Sequence, residues 1–258
     1  MRVAATLPAL LCACGRLGFD APADAPVDDG QGTVDGASVD AFIRPTAPPP
    51  GLNLVLDGSS YVTIDTVCAA LVGGFTVSVW IRPTPGQGGR PYTEIVAFNS
   101  SGGGSNLALM QWITGTMRAN YYDDAFTNGD YYDLPAPGSQ WSYITLSVDA
   151  GGAGRLYVNG DLTQTFTTAS TISGTSWFSL GQEWDSTTPG EFFIGDLDEV
   201  AIWRGARIPS ELLGDMVRPP LQHPDLVAFF DFAAGAVTDL TGHGHVGTPV
   251  GSVAFSTH

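Results

Sequence analysis

The sequence predicts an all-β protein, a two-sheet antiparallel sandwich with one short helix. Three observations lead there. Glycine (33) and proline (18) are abundant and only 14% of residues are charged, a composition that suits many short strands and turns better than helix interiors. Apolar residues recur with a period of two between turn clusters. Strands do not alternate with long helical patterns, which excludes a parallel α/β sheet.

Each element follows from its residues. Short strands are expected at 53–56 and 61–64. Phe75 to Arg82 alternates cleanly, with Phe75, Val77, Val79 and Ile81 on one face, and Pro83 ends the run. Strands follow at 94–99, 106–113 and 116–122. Trp141 to Asp149 repeats the alternation with Ile144, Leu146 and Val148 inward. Gly154–Val158 and Leu162–Thr168 flank Asn159-Gly160, a strong hairpin-turn signal. Further strands are expected at 177–180, 191–203 and 226–232, with a helix at Pro209–Val217.

The chain divides into three parts. Residues 1–13 read as a secretory leader, Arg2 followed by an apolar run too short to span a bilayer. Leu11-Cys12-Ala13-Cys14 resembles a bacterial lipobox, which implies lipidation of Cys14; Gly15 after it favours the outer membrane. Residues 14–50, rich in Ala, Pro and Asp and ending in Pro48-Pro49-Pro50, hold too few apolar side chains to order themselves and read as a tether. Residues 51–258 form the sandwich. Its one thiol, Cys68, cannot make an internal disulfide and is expected to pack as a small buried hydrophobe.

Charge narrows the partners. The chain carries a net −16, all ten of its basic residues are Arg, and the domain from residue 51 holds 20 acids against seven Arg. With no basic stripe, nucleic acid is excluded as a partner, and anionic lipid is disfavoured except through the anchor. The absence of Lys excludes Schiff-base chemistry.

Several segments, in order, carry a resemblance. Leu56-Asp57-Gly58, the Phe75–Ile81 run, Leu156-Tyr157-Val158-Asn159-Gly160, and Ile194-Gly195-Asp196-Leu197-Asp198-Glu199-Val200-Ala201-Ile202-Trp203 together resemble laminin-G-like and pentraxin-like domains. The resemblance implies a jelly-roll sandwich. Leu226 to Gly247 is similar to the strand and loop that usually open such domains; here it either completes the sandwich or is the remnant of a second repeat.

Candidate sites follow from the same comparison. Glu183-Trp184-Asp185 is similar to the pentraxin calcium loop, which implies carboxylates from Glu183 and Asp185, the carbonyl of Trp184, and at most Asn106 from an earlier loop. A Ca2+ ion takes six to eight oxygens, so these do not complete a shell; an ordinary acidic turn is the plainer alternative. Ser78 and Thr145 stand where the pentraxin disulfide would be. Asp198, placed by regular alternation on the face of Val200 and Ile202, pairs in expectation with Asp239 as a second calcium candidate, with a turn cap as its alternative. His243 and His245 read as loop residues. Tyr121, Tyr122, Tyr131, Tyr132 and Trp112, beside several Asp, would suit stacking on sugar rings, or would simply cover sandwich edges.

Catalysis is not expected. Glu183-Trp184-Asp185 begins the Glu-x-Asp-x-x-Glu pattern of related glycosidases, but Thr188 stands at the last acid, and Pro189-Gly190 suggests a loop. The expectation is a surface-anchored binding or adhesion module for a glycan or other extracellular polymer, with calcium support. The alternatives are a structural envelope or protein-interaction domain and, behind it, a hydrolase of the same fold.

Overall fold

The computed structural model describes residues 43–85, 92–102, 106–113, 116–120, 132–133, 140–167 and 172–257. The chain divides into two units, Met1–Phe42 and Ile43–His258, and everything described belongs to the second.

Two antiparallel sheets face each other, as the jelly-roll expectation requires. In the first, β10 (Asp161–Thr167), β9 (Ala153–Val158), β8 (Ser142–Val148), β3 (Phe75–Pro83), β14 (Ile194–Arg204), β1 (Leu52–Asp57) and β17 (Ala254–Thr257) lie side by side, and β15 (Leu226–Phe230) also pairs with β14. In the second the order is β16 (Thr248–Val250), β2 (Tyr61–Thr63), β11 (Trp177–Leu180), β4 (Thr93–Asn99), β5 (Asn106–Ile113), β6 (Thr116–Asn120) and β7 (Tyr132–Asp133). A small hairpin, β12 (Glu183–Asp185) with β13 (Thr188–Gly190), stands apart from both.

The period-two patterns become the core. Val77, Val79 and Ile81 of β3 and Ile144 and Leu146 of β8 are fully buried against Phe98, Met110 and Phe178 of the second sheet. Phe98 packs its ring 4.9 Å from Phe75 and 4.6 Å from Phe178. Each such side chain contributes about 1.5–3 kcal/mol by leaving water. Cys68 lies in the same core, and burial first, then the charge of Asp65, pushes its thiol up to about 12. It is an inert packing residue, as expected.

Ser78 and Thr145 are cross-strand neighbours, joined by a hydrogen bond of 3.0 Å between their hydroxyls. A polar pair thus occupies the positions where the resemblance places a disulfide.

The C-terminal segment completes the sandwich. β15 and β17 extend the first sheet and β16 the second, while Phe229, Phe230 and Phe232 are buried. The repeat-remnant alternative falls away because these strands pair with β14, β1 and β2.

Sequence reading missed a 3-10 helix at Asp65–Ala70 and the strands β16 and β17. The helix α1 (Pro209–Asp215) starts where Pro209 predicts it and ends two residues before the expected Val217, with the Glu211 carboxylate accepting the Ile208 N–H at 2.9 Å. It covers the outer face of the first sheet, where Trp80, Trp141, Tyr143 and Met216 form a second cluster with Ala47 and Leu213. The segment 43–50, read from sequence as tether, packs within this unit: Ala47 touches the cluster and Arg44 pairs with Asp161 at 2.6 Å.

Candidate functional site

Glutamates are scarce in this chain, five in all, and three of them converge on one seam. Glu94 lies on β4 directly opposite Gln111 of β5, at an irregularity that interrupts the β4 ladder. Its backbone N–H donates to the Glu191 carbonyl at 2.7 Å, and Glu94 forms an isolated bridge with Phe192. Gln111 donates from one nitrogen to the Glu94 carboxyl and to Oε2 of Glu191, the latter at 3.1 Å.

Glu94 is 0% exposed, and its Oε2 meets no donor. Burial first, then the hydrogen bond and charge of Glu191 and the charge of Glu183, hold this carboxyl well above the usual range, against the opposing bond from Gln111. The Glu94 and Glu191 carboxyls thus meet at the Gln111 amide, two acceptors on one donor nitrogen.

The hairpin closes the seam. Glu183 faces Gly190 and Asp185 faces Thr188. Glu183 is buried, whereas Asp185 is exposed. A Cβ on Gly190 would lie 3.4 Å from Glu183 Oε1 and 4.0 Å from Asp185 Oδ2, so both carboxylates flank the same stretch of backbone. The Trp184 carbonyl accepts from Asn99 Nδ2 at 3.3 Å, and its ring packs against Tyr61 and Trp177. The loop expected at Pro189-Gly190 is instead the strand β13, because three residue pairs close a tight hairpin there.

The second acidic group departs from expectation. Regular alternation would set Asp198 beside Val200 and Ile202. A register shift between Asp198 and Ala201, with Glu199 at φ +50°, places Asp198 opposite Trp80 instead, away from the face that Val200 and Ile202 share. Burial first, then Glu199 and Asp231, push Asp198 up to about 8. Burial and Asp231 push Glu199 up to about 7, against Arg218.

Asp239 is engaged elsewhere. Its carboxylate accepts the N–H groups of Thr241 (2.9 Å), Phe229 (3.2 Å) and His245 (3.3 Å) and the Thr241 hydroxyl. Burial opposes its ionisation, but these bonds outweigh burial and hold it below the usual range. It staples the loop. His243 bonds the Val227 carbonyl and His245 the Thr66 hydroxyl, so both are loop residues, as expected.

Trp112 corrects an expectation. It is 2% exposed and packs in the main core, because alternation along β5 turns Met110 and Trp112 inward and Gln111 outward. It is not a sugar-stacking surface. Tyr121, Tyr122, Tyr131 and Cys14 lie outside the described residues. Asn106 and Tyr132 fall within β5 and β7, and their side chains are outside the description too. Among the described residues, no group of three or more His, Cys, Asp or Glu side chains is arranged to hold a metal ion.

A two-sheet antiparallel sandwich defines the class, and the comparisons define the family. The concanavalin A-like lectin/glucanases superfamily model matches residues 56–212, and the chain belongs to that superfamily. A candidate carbohydrate-binding protein from Bacteroides ovatus is 15% identical, over 81% of this chain and 60% of its own, with a TM-score of 0.60. The chain thus spans less than two thirds of that protein. Domain 4 of AbnA, an extracellular arabinanase of Geobacillus stearothermophilus, in complex with arabinotriose, is 23% identical over 64% of this chain and 76% of its own, at 0.50. The CBM40 domain of the Ruminococcus gnavus IT-sialidase, bound to α2,3-sialyllactose, is 15% identical over 64% and 96%, also at 0.50. These likenesses show the fold. No curated protein matches the chain by sequence.

Proposed function

We propose that the domain is a non-catalytic binding module for a glycan or another extracellular polymer, held at the cell surface by a lipid on Cys14. One observation carries the non-catalytic part. Glu94 and Glu183 are 0% and 2% exposed, so these two acids of the seam are closed to a saccharide. A retaining hydrolase needs two carboxylates about 5 Å apart with substrate between them.

The glycan part draws support from the shared fold with proteins described by carbohydrate binding, arabinotriose or sialyllactose. A net charge of −16 supports it over nucleic acid. Calcium is proposed as an accessory to the loops, on the similarity of Glu183-Trp184-Asp185, whose Asp185 is exposed, to a calcium loop.

The test is a glycan array with purified full-length protein, in calcium and in chelator, beside a reducing-end assay on β-glucans, agar, carrageenan and host-type glycans. Binding without release of reducing ends is expected. Release that disappears in Glu183→Gln would restore the hydrolase. Retention of no glycan would leave the envelope or protein-interaction role. Calcium at 100 times its dissociation constant should stabilise by about 2.7 kcal/mol; equal melting in calcium and chelator removes it from the reading.

A further inference from the structure

A cavity of about 600 Å³ opens on the far side of the first sheet from the core, lined by Arg44, Pro45, Thr46, Gln140, Trp141 and Asn159. Its walls are fixed by bonds the sandwich does not otherwise require. Asn159, at φ +51° in the Asn-Gly turn, donates its N–H to the Tyr143 carbonyl at 2.7 Å and accepts the Tyr143 N–H on Oδ1 at 2.9 Å. Its own carbonyl accepts from Arg44 Nη1 at 3.1 Å, which ties the 43–46 segment across the hairpin end. Trp141 belongs to the Trp80–Tyr143 cluster, and the Arg82 guanidinium sits 4.8 Å from its ring centre.

The chemistry left facing the cavity is specific. The Thr46 hydroxyl, the Gln140 amide and Asn159 Nδ2 make no hydrogen bond to other described residues, and Trp141, 9% exposed, lines the cavity beside them. Neutral donors and acceptors beside an aromatic residue match the hydroxyls and C–H face of a sugar. The volume falls within the ordinary range for small-ligand sites.

Charge decides which sugars. Arg44 is paired with Asp161 at 2.6 Å and Arg82 with Asp196 at 2.8 Å. The cavity therefore offers no unbalanced cation to a carboxylate, sulfate or phosphate, and the chain's net −16 repels polyanions.

We propose that this cavity is a subsite for a neutral, hydroxyl-rich saccharide, held by Thr46, Gln140 and Asn159 beside Trp141. The inference rests on the glycan-binding reading and assigns it a place. It lies on a different sheet from Glu94, so the two can be tested apart.

The experiment uses the full chain on an array of neutral oligosaccharides (arabinan, β-glucan and mannan fragments) with sialylated and sulfated glycans, followed by titration of the best neutral hit. Wild type is compared with Thr46→Val, Gln140→Ala and Asn159→Asp, and with Glu94→Gln as control. Asn159→Asp keeps the Oδ1 acceptor and the turn while removing the Nδ2 donor. Melting curves check that each variant folds. The expected result is a neutral glycan bound by wild type and by Glu94→Gln, and at least tenfold weaker binding in Gln140→Ala and Asn159→Asp. Unchanged affinity in the cavity variants would overturn the subsite and leave the glycan reading intact. Preference for sialylated or sulfated glycans would overturn the neutral assignment. Retention of no glycan by wild type overturns both.

Discussion

Glu94 and Glu191 are joined twice: through a backbone hydrogen bond of 2.7 Å and through Gln111, whose single amide nitrogen serves both carboxyls. Burial opposes ionisation of the Glu94 carboxyl and raises it well above the usual range. Glu94→Gln should therefore fold and lose part of the domain's alkaline sensitivity. The sign follows from a folded value raised above the unfolded one: stability is full below about 4.3 and drains as pH rises toward the folded value. Thermal melts from pH 5 to 9 should show Glu94→Gln gaining on wild type as pH increases. Parallel curves would remove Glu94 from the account.

Asp198 and Glu199 act in the same direction in a nearer window. Their folded values, about 8 and about 7, lie above the ordinary carboxylate range. Each then withdraws about 1.4 kcal/mol per pH unit between its unfolded and folded values. Melting temperature in chelator should fall between pH 5 and 8, and Asp198→Asn should flatten that fall. Asp239 has the opposite sign, since its folded value is lowered. Asp239→Asn should cost stability at neutral pH, and the difference should vanish as pH drops through the folded value.

Two glycines separate strain from propensity. Gly195 has φ +154°, and a Cβ there would stand 2.6 Å from the Arg82 carbonyl oxygen. Gly195→Ala should cost about 3 kcal/mol. Gly214, within α1, has open space around a Cβ. Gly214→Ala should stabilise by about 0.5–1 kcal/mol through helix propensity. Denaturant melts of the two variants should move in opposite directions, and a shared direction would contradict this assignment.

Cys14 is expected to carry the anchor, since it has lipobox spacing. Mass spectrometry of native protein should find an acylated N-terminal Cys14, and Cys14→Ser should release the protein from membranes. A soluble native form that begins elsewhere would refute it.

What could be read from sequence is what repeats locally. Val77, Val79 and Ile81 announce a buried strand face because alternation along one strand is burial on one side of a sheet. The Asn159-Gly160 turn announces its hairpin for an equally local reason. The seam had no such signal. Glu94, Gln111 and Glu191 meet only after β4 pairs with β5 and the chain returns beside it. The one available hint was a carboxylate bordering the apolar run Ile95-Val96-Ala97-Phe98. Regular alternation misplaces Asp198 because Glu199 takes positive φ without the glycine or asparagine that usually marks it. Trp112 lies in the expected strand 106–113, but its company of tyrosines suggests a binding surface while alternation along β5 turns it into the core.

The pairing of β1 between β14 and β17 has a consequence for how this chain reaches its native state. Leu52, near the start of the domain, finds its partner in Thr257, almost at the end. The first sheet therefore cannot be completed until β17 joins β1, and the strands before it wait with an unpaired edge. Closing so long a loop favours slow folding. The first sheet therefore closes as a whole, around a strand pair from opposite ends of the domain, and not hairpin by hairpin.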